Sequence, residues 1–123
     1  MNVLASLLVG LVAALHLYFL VLEMFLWRTP RGRAVFGTTE EFAEQSAALA
    51  ANQGLYNGFL TAGLVWALLA SGGPGGEGFA PAVFFLGCVV VAGAYGAATV
   101  SRRILAVQAL PAALGLGAVL LAH

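Results

Sequence analysis

The first residue able to do chemistry is a carboxylate in apolar surroundings: Glu23 is the only formally charged residue between Val3 and Trp27. A charge at mid-bilayer costs roughly 2.5–3.5 kcal/mol on the insertion scale, so such a group needs a partner or a purpose. Glu23, five positions before Arg28, is a candidate to handle a proton, to hold a polar group, or to pair with Arg28 or Arg102. His16 shares its helical face but lies about 10 Å away along the axis at ~1.5 Å per residue, too far to pair directly. The next polar group is the run Asn52-Gln53-Gly54-Leu55-Tyr56-Asn57, whose amides and phenol can donate and accept hydrogen bonds. Tyr95, seven positions before Arg102, and Gln108, five after Arg103, complete the set. Arg102 or Arg103 supplies a cation for an anionic group.

Measured from the arginines, all these polar residues fall in one half of the apolar segments that carry them. The opposite half, beyond Thr61, before Tyr95 and beyond Pro111, is aliphatic, glycine or aromatic. At 100° per residue, Glu41, Gln45, Asn52 and Tyr56 share one stripe, with Gln53 and Asn57 on an adjacent one. The expectation is that this polar side faces the interior of a helix bundle. Two readings stand side by side: a ligand-binding cluster, and an interhelical hydrogen-bond network that only holds helices together, at about 0.6 kcal/mol per bond.

The elements that carry these residues follow from composition. Of 123 residues, 62% are hydrophobic and 8% charged, too little polar surface to cover a soluble globule. Spanning about 30 Å of hydrocarbon takes roughly 20 apolar residues in a helix. Segments near 3–27, 47–71, 80–100 and 104–122 supply them, the second within a helix expected over 39–71, and none alternates as a barrel strand would. The chain is therefore expected to be all-α, a single membrane domain of four transmembrane helices. All five arginines fall in two of the three connections. The positive-inside rule then places Arg28, Arg31, Arg33, Arg102 and Arg103 in the cytoplasm and both termini outside, as in a bacterial inner-membrane protein. Trp27 and Trp66 mark the two boundaries as aromatic belts. The arginine-free connection, Gly72 to Gly78, is read as an outer turn.

The second segment is predicted to start with a capping box in which Thr38 caps and Glu41 reaches back. At ~1.5 Å per residue it runs about 50 Å, so its first turns, with Glu40, Glu41, Glu44 and Gln45, project into the cytoplasm. Gly54-x-x-x-Gly58-x-x-x-Ala62 and Ala113-x-x-x-Gly117 are small seams that let backbones approach. Pro111 interrupts the helical ladder near Gln108 and is expected to kink it. The first apolar segment lacks a positive charge near Met1 and is too long for a secretory signal, so it is read as a retained helix. The lone Cys88 excludes an internal disulfide and reads as apolar filler. No metal or cofactor set is predicted, and zero net charge with no basic patch excludes a nucleic-acid partner.

The stretches His16-Leu17-Tyr18, Leu22 to Trp27, Arg31-Gly32-Arg33-x-Val35-Phe36, Ala51 to Phe59 and Gln108-Ala109-Leu110-Pro111-Ala112 resemble the family catalogued as domain of unknown function 1304, small bacterial membrane proteins. That resemblance covers nearly the whole chain, is most specific in the Asn52 to Phe59 run, and implies a membrane identity and no activity. A more distant likeness is to the membrane-associated eicosanoid and glutathione metabolism superfamily. It implies four helices, trimers and glutathione bound from the cytoplasmic side, with Asn52 in the matching position. The arginines of that pattern are absent, Ala48 and Leu49 standing there instead, and Leu55 replaces its glutamate.

Three functions follow as expectations. The first is a binding module, or a component of a transporter, holding a small polar or amphipathic molecule or lipid in the cytoplasmic leaflet. Its lining would be Glu23, Asn52, Gln53, Tyr56, Asn57, Tyr95, Gln108, His16 and Arg102. The second is a glutathione-transferase-like membrane enzyme in which Tyr95 or Glu23 handles a proton. The third is an assembly subunit, as a homo-oligomer or with other chains, packed through its glycine seams.

Overall fold

A computed structural model describes residues 1–72 and 77–123 of the chain. Four of the helices formed by the described residues are long and apolar enough to cross a membrane: Val3–Met24, Glu40–Ser71, Phe79–Thr99 and Leu105–Ala122. Only 22–28% of the apolar window in each is buried, so most of its side chains, Leu7, Val91 and Leu121 among them, face outward. Water would penalise so large an apolar surface and lipid does not. The chain is an all-α, multi-pass membrane protein. The central residues of the predicted outer turn, Gly73 to Gly76, lie outside the described residues.

Helix α1, Val3–Met24, begins where the Asn2 side chain accepts the Ala5 N–H at 2.9 Å. It stops before the expected Trp27 because a second helix starts close behind. This α2, Pro30–Phe36, has Thr29 as N-cap, proline in its first turn, and Gly37 at φ 68° behind it. The spacing of spans did not predict α2. Helix α3, Glu40–Ser71, is 32 residues long, about 48 Å at 1.5 Å per residue. Its cap differs from the expected one: the Thr39 hydroxyl accepts the Phe42 N–H at 3.1 Å, whereas Thr38 Oγ1 is buried without a described partner. The helix simply starts one residue later. Helix α4 covers Phe79–Thr99, and a π-helical turn at Leu105–Ala109 leads into α5, Leu110–Ala122.

The chain divides into two compact units, Met1–Leu15 with Leu60–His123, and His16–Phe59. The first has a dry core of Val9, Val12, Leu64, Leu86, Val89 and Val119 with small alanines between them. Close approach sets its geometry. A Cβ on Gly93 would lie 2.7–2.9 Å from Cβ, N and Cα of Ala109, so only glycine lets α4 meet the start of α5 there. The π turn answers the expectation at Pro111. Proline has no N–H for the Val107 carbonyl and its ring crowds that carbonyl, and the helix widens just ahead of it, with the Leu110 N–H bonded to the Leu105 carbonyl five residues back.

Candidate functional site

In the unit His16–Phe59, glycine again determines how near two helices come. A Cβ on Gly54 would stand 2.6 Å from Met24 Cγ and 3.1 Å from Glu23 Cβ, and one on Gly58 would stand 2.8 Å from Leu20 Cδ1. The predicted Gly54/Gly58 seam therefore seats α1 on α3. Through that contact the Asn57 amide donates a hydrogen bond to Glu23 Oε1. Both side chains are buried, at 6% and 8% exposure. His16 is fully buried, engaged, and packed edge-on against Phe19 with ring centroids 5.3 Å apart. Among the described residues these three are the polar or charged ones buried as whole residues.

The rest of the α3 stripe is turned the other way. Asn52, Gln53 and Tyr56 are exposed, as are Glu41 and Gln45, and the buried line along this half of α3 is Ala43, Ala50, Gly54 and Asn57. This corrects the expectation that the polar side faces inward. The packed face is chosen by size, because backbones close enough to touch accept only small residues, and Asn57 enters because Glu23 stands opposite. Tyr56 packs edge-on against Phe59 with centroids 5.7 Å apart, and among the described residues neither Asn52 nor Gln53 has a side-chain hydrogen-bond partner.

Glu23 does not pair with Arg28. The Arg28 guanidinium reaches Glu44 Oε1 at 2.8 Å, in an ion pair with both side chains more than 60% exposed, so Glu23 is left to the amide. Beside that pair, Trp27 Nε1 donates to Ser46 Oγ at 3.1 Å, and the Trp27 and Phe36 rings meet at 4.9 Å. The contacts of Trp27 and α2 were missed from sequence, although Thr29-Pro30 and Gly37 are a recognisable helix start and stop.

Tyr95, Arg102 and Gln108 belong to the other unit. Tyr95 is 72% exposed at one end of an open apolar groove along α4, about 730 Å³, lined with Val83, Phe84, Gly87, Cys88 and Val91. Arg102 is exposed. Gln108 is half-buried and engaged, within the π turn. Of the predicted site residues, Glu23 and Asn57 are joined directly by a hydrogen bond. Chemically, that pair offers a carboxylate held by an amide donor, and the adjoining α3 surface offers two amides and a phenol as hydrogen-bonding groups.

Residues 10–120 match the family model described as Protein of unknown function (DUF1304). No curated protein and no solved structure matches the chain.

Proposed function

The chain belongs to the DUF1304 family of proteins of unknown function, and from that premise we propose that it is a membrane-embedded binding module for an amphipathic molecule with a polar headgroup. The observation that carries this reading is the exposed row Asn52, Gln53 and Tyr56 on α3, backed on the same helix by the buried Asn57–Glu23 hydrogen bond. Counting about 20 residues of span back from Ser71, the row lies where hydrocarbon gives way to headgroups. By the arginine distribution, this is the cytoplasmic leaflet. A polar head can then meet the amides while its chain lies along the apolar part of α3. The Asn57–Glu23 bond holds the row in place by fixing α3 to α1, and takes no direct part in contact.

The test is a thermal-shift panel on the protein in nanodiscs, using dodecyl-chain probes with hydroxyl, amide, ammonium or phosphate heads. At least one probe is expected to raise the melting temperature of the native chain and not that of Asn52→Ala/Gln53→Ala/Tyr56→Phe. No shift by any probe, or equal shifts in both proteins, overturns the reading.

One observation favours a second reading, an assembly subunit. At Gly10, Gly87 and Gly117 a side chain would meet open space, so these small residues serve no packing within the described chain and leave a surface for another helix. Mass measured in detergent-free nanodiscs separates the two readings: a single chain per disc rejects self-assembly.

A further inference from the structure

The first connection, which carries Arg28, Arg31 and Arg33, is folded back onto the end of α1 and held there. Thr29 Oγ1 accepts the Gly32 N–H at 3.3 Å and donates to the Leu26 carbonyl at 2.6 Å. Gly32 is buried where a Cβ would stand 2.0 Å from the Leu26 carbonyl oxygen, so α2 lies directly on the turn that precedes it. Arg31 is thereby brought beside Tyr18, a residue of α1 itself. Its Nη2 donates to the Tyr18 hydroxyl at 2.8 Å, and its guanidinium carbon lies 5.8 Å from the centre of the Tyr18 ring. Tyr18 stands six positions before the last residue of α1, about 9 Å into the span at 1.5 Å per residue. Arg31 is therefore anchored toward the membrane rather than away from it.

The three arginines of this connection differ in what they bind. Arg28 has the Glu44 carboxylate, and Arg33 Nε donates to the Arg28 carbonyl at 3.3 Å. Arg31 is exposed, its described partner is a neutral phenol, and among the described residues no carboxylate neutralises it. A guanidinium has five N–H donors in a planar fork, and one is occupied by Tyr18. The fork that remains matches the oxygens of a phosphate in bidentate geometry. It stands beside the apolar end of the span, where Tyr18 is 37% exposed and Phe25, just past α1, is 70% exposed.

We propose that Arg31, oriented by Tyr18, holds the phosphate of an anionic phospholipid headgroup. This site is distinct from the α3 row: Tyr18 is five positions from Glu23, about 140° around α1 from the side that meets α3. It stands whether or not the row binds an amphiphile. Tyr18 is a positioning residue, and the phosphate oxygens take the guanidinium donors that it leaves.

The experiment reconstitutes the protein in vesicles containing equal amounts of phosphatidylglycerol and a phosphate-free galactosyl diacylglycerol. Native mass spectrometry then counts the lipids retained through mild detergent. The native chain is expected to retain phosphatidylglycerol at least tenfold over the galactolipid, and Arg31→Ala to lose that preference with its melting temperature unchanged. Arg31→Lys, which keeps the charge and the fold but not the fork, loses part of it, and so does Tyr18→Phe. Arg28→Ala keeps the preference. Native-like retention by both Arg31 variants overturns the proposal, and so does equal loss in Arg28→Ala, which would indicate charge attraction without a site. Inorganic phosphate at 10 mM, an on-the-order-of choice for a weak free-anion site, is expected not to displace the lipid; displacement overturns the lipid assignment in favour of free phosphate.

Discussion

The two units are made from the same kind of apolar helix and bury different things. Met1–Leu15 with Leu60–His123 has a core cluster of aliphatic side chains and alanine. His16–Phe59 buries His16, Glu23 and Asn57 beside Leu22, Ala43 and Ala50. Lipid tails are as apolar as leucine, so apolar burial alone gives helices little reason to associate in a bilayer. The first unit therefore depends mainly on contact distance, which its glycines permit, with the Thr61 hydroxyl also donating to the Ala13 carbonyl at 3.1 Å. The polar unit adds directional bonds, since an amide facing a carboxylate has no equal partner in lipid. One unit should then be sensitive to added volume and the other to a lost hydrogen-bonding atom.

The largest effect should come from Gly93→Leu. A branched side chain has nowhere to go where a Cβ alone already meets Ala109 at 2.7–2.9 Å, and a loss of about 3 kcal/mol is expected from overpacking, read as a collapse of the melting temperature. Asn57→Ala should follow. It strands the buried Glu23 carboxyl, a loss of about 2–3 kcal/mol, and Glu23→Leu/Asn57→Leu should recover most of it because both partners leave together. If that double variant is as unstable as Asn57→Ala, the polar unit is held by shape, and the contrast between units fails. Leu86→Ala, in the dry core, should cost about 2 kcal/mol, the low end for such truncations because lipid removes part of the transfer term. Smallest is Glu44→Ala, which removes the exposed Arg28 ion pair; a change below about 1 kcal/mol, shrinking further in high salt, is expected in chemical unfolding.

Much of this was legible in the sequence because the bilayer constrains it strongly. The four expected helices, 3–27, 39–71, 80–100 and 104–122, match four observed ones to within three residues at each end, and the Gly54/Gly58 seam lies where two helices touch. The direction of the α3 stripe was not legible. In a soluble protein the polar face points outward by default, and within the hydrocarbon of a membrane it points inward. Neither decides at the level of Asn52, where headgroups accept polar side chains, and the small residues Ala43, Ala50 and Gly54 mark the packed face instead. Helix α2, at seven residues, is too short for any span argument, and its Thr-Pro start and Gly stop are local signals outweighed by the longer pattern. Pro111 announced a disturbance near Gln108, but a kink and a π turn both relieve the same missing N–H.

The central claim is that binding belongs to the outward polar row of α3 and stability to the buried contacts of the two units, Leu86 among them. It is tested most directly by measuring, in the same nanodiscs, the affinity for the dodecyl probe that shifts the native chain most. The proteins to compare are the native chain, Asn52→Ala/Gln53→Ala/Tyr56→Phe, and Leu86→Ala. The account predicts an affinity loss of about tenfold, or ~1.4 kcal/mol, with an unchanged melting temperature for the triple variant, and a lower melting temperature with native affinity for Leu86→Ala. Native affinity in the triple variant, or an equal affinity loss in both, would contradict it.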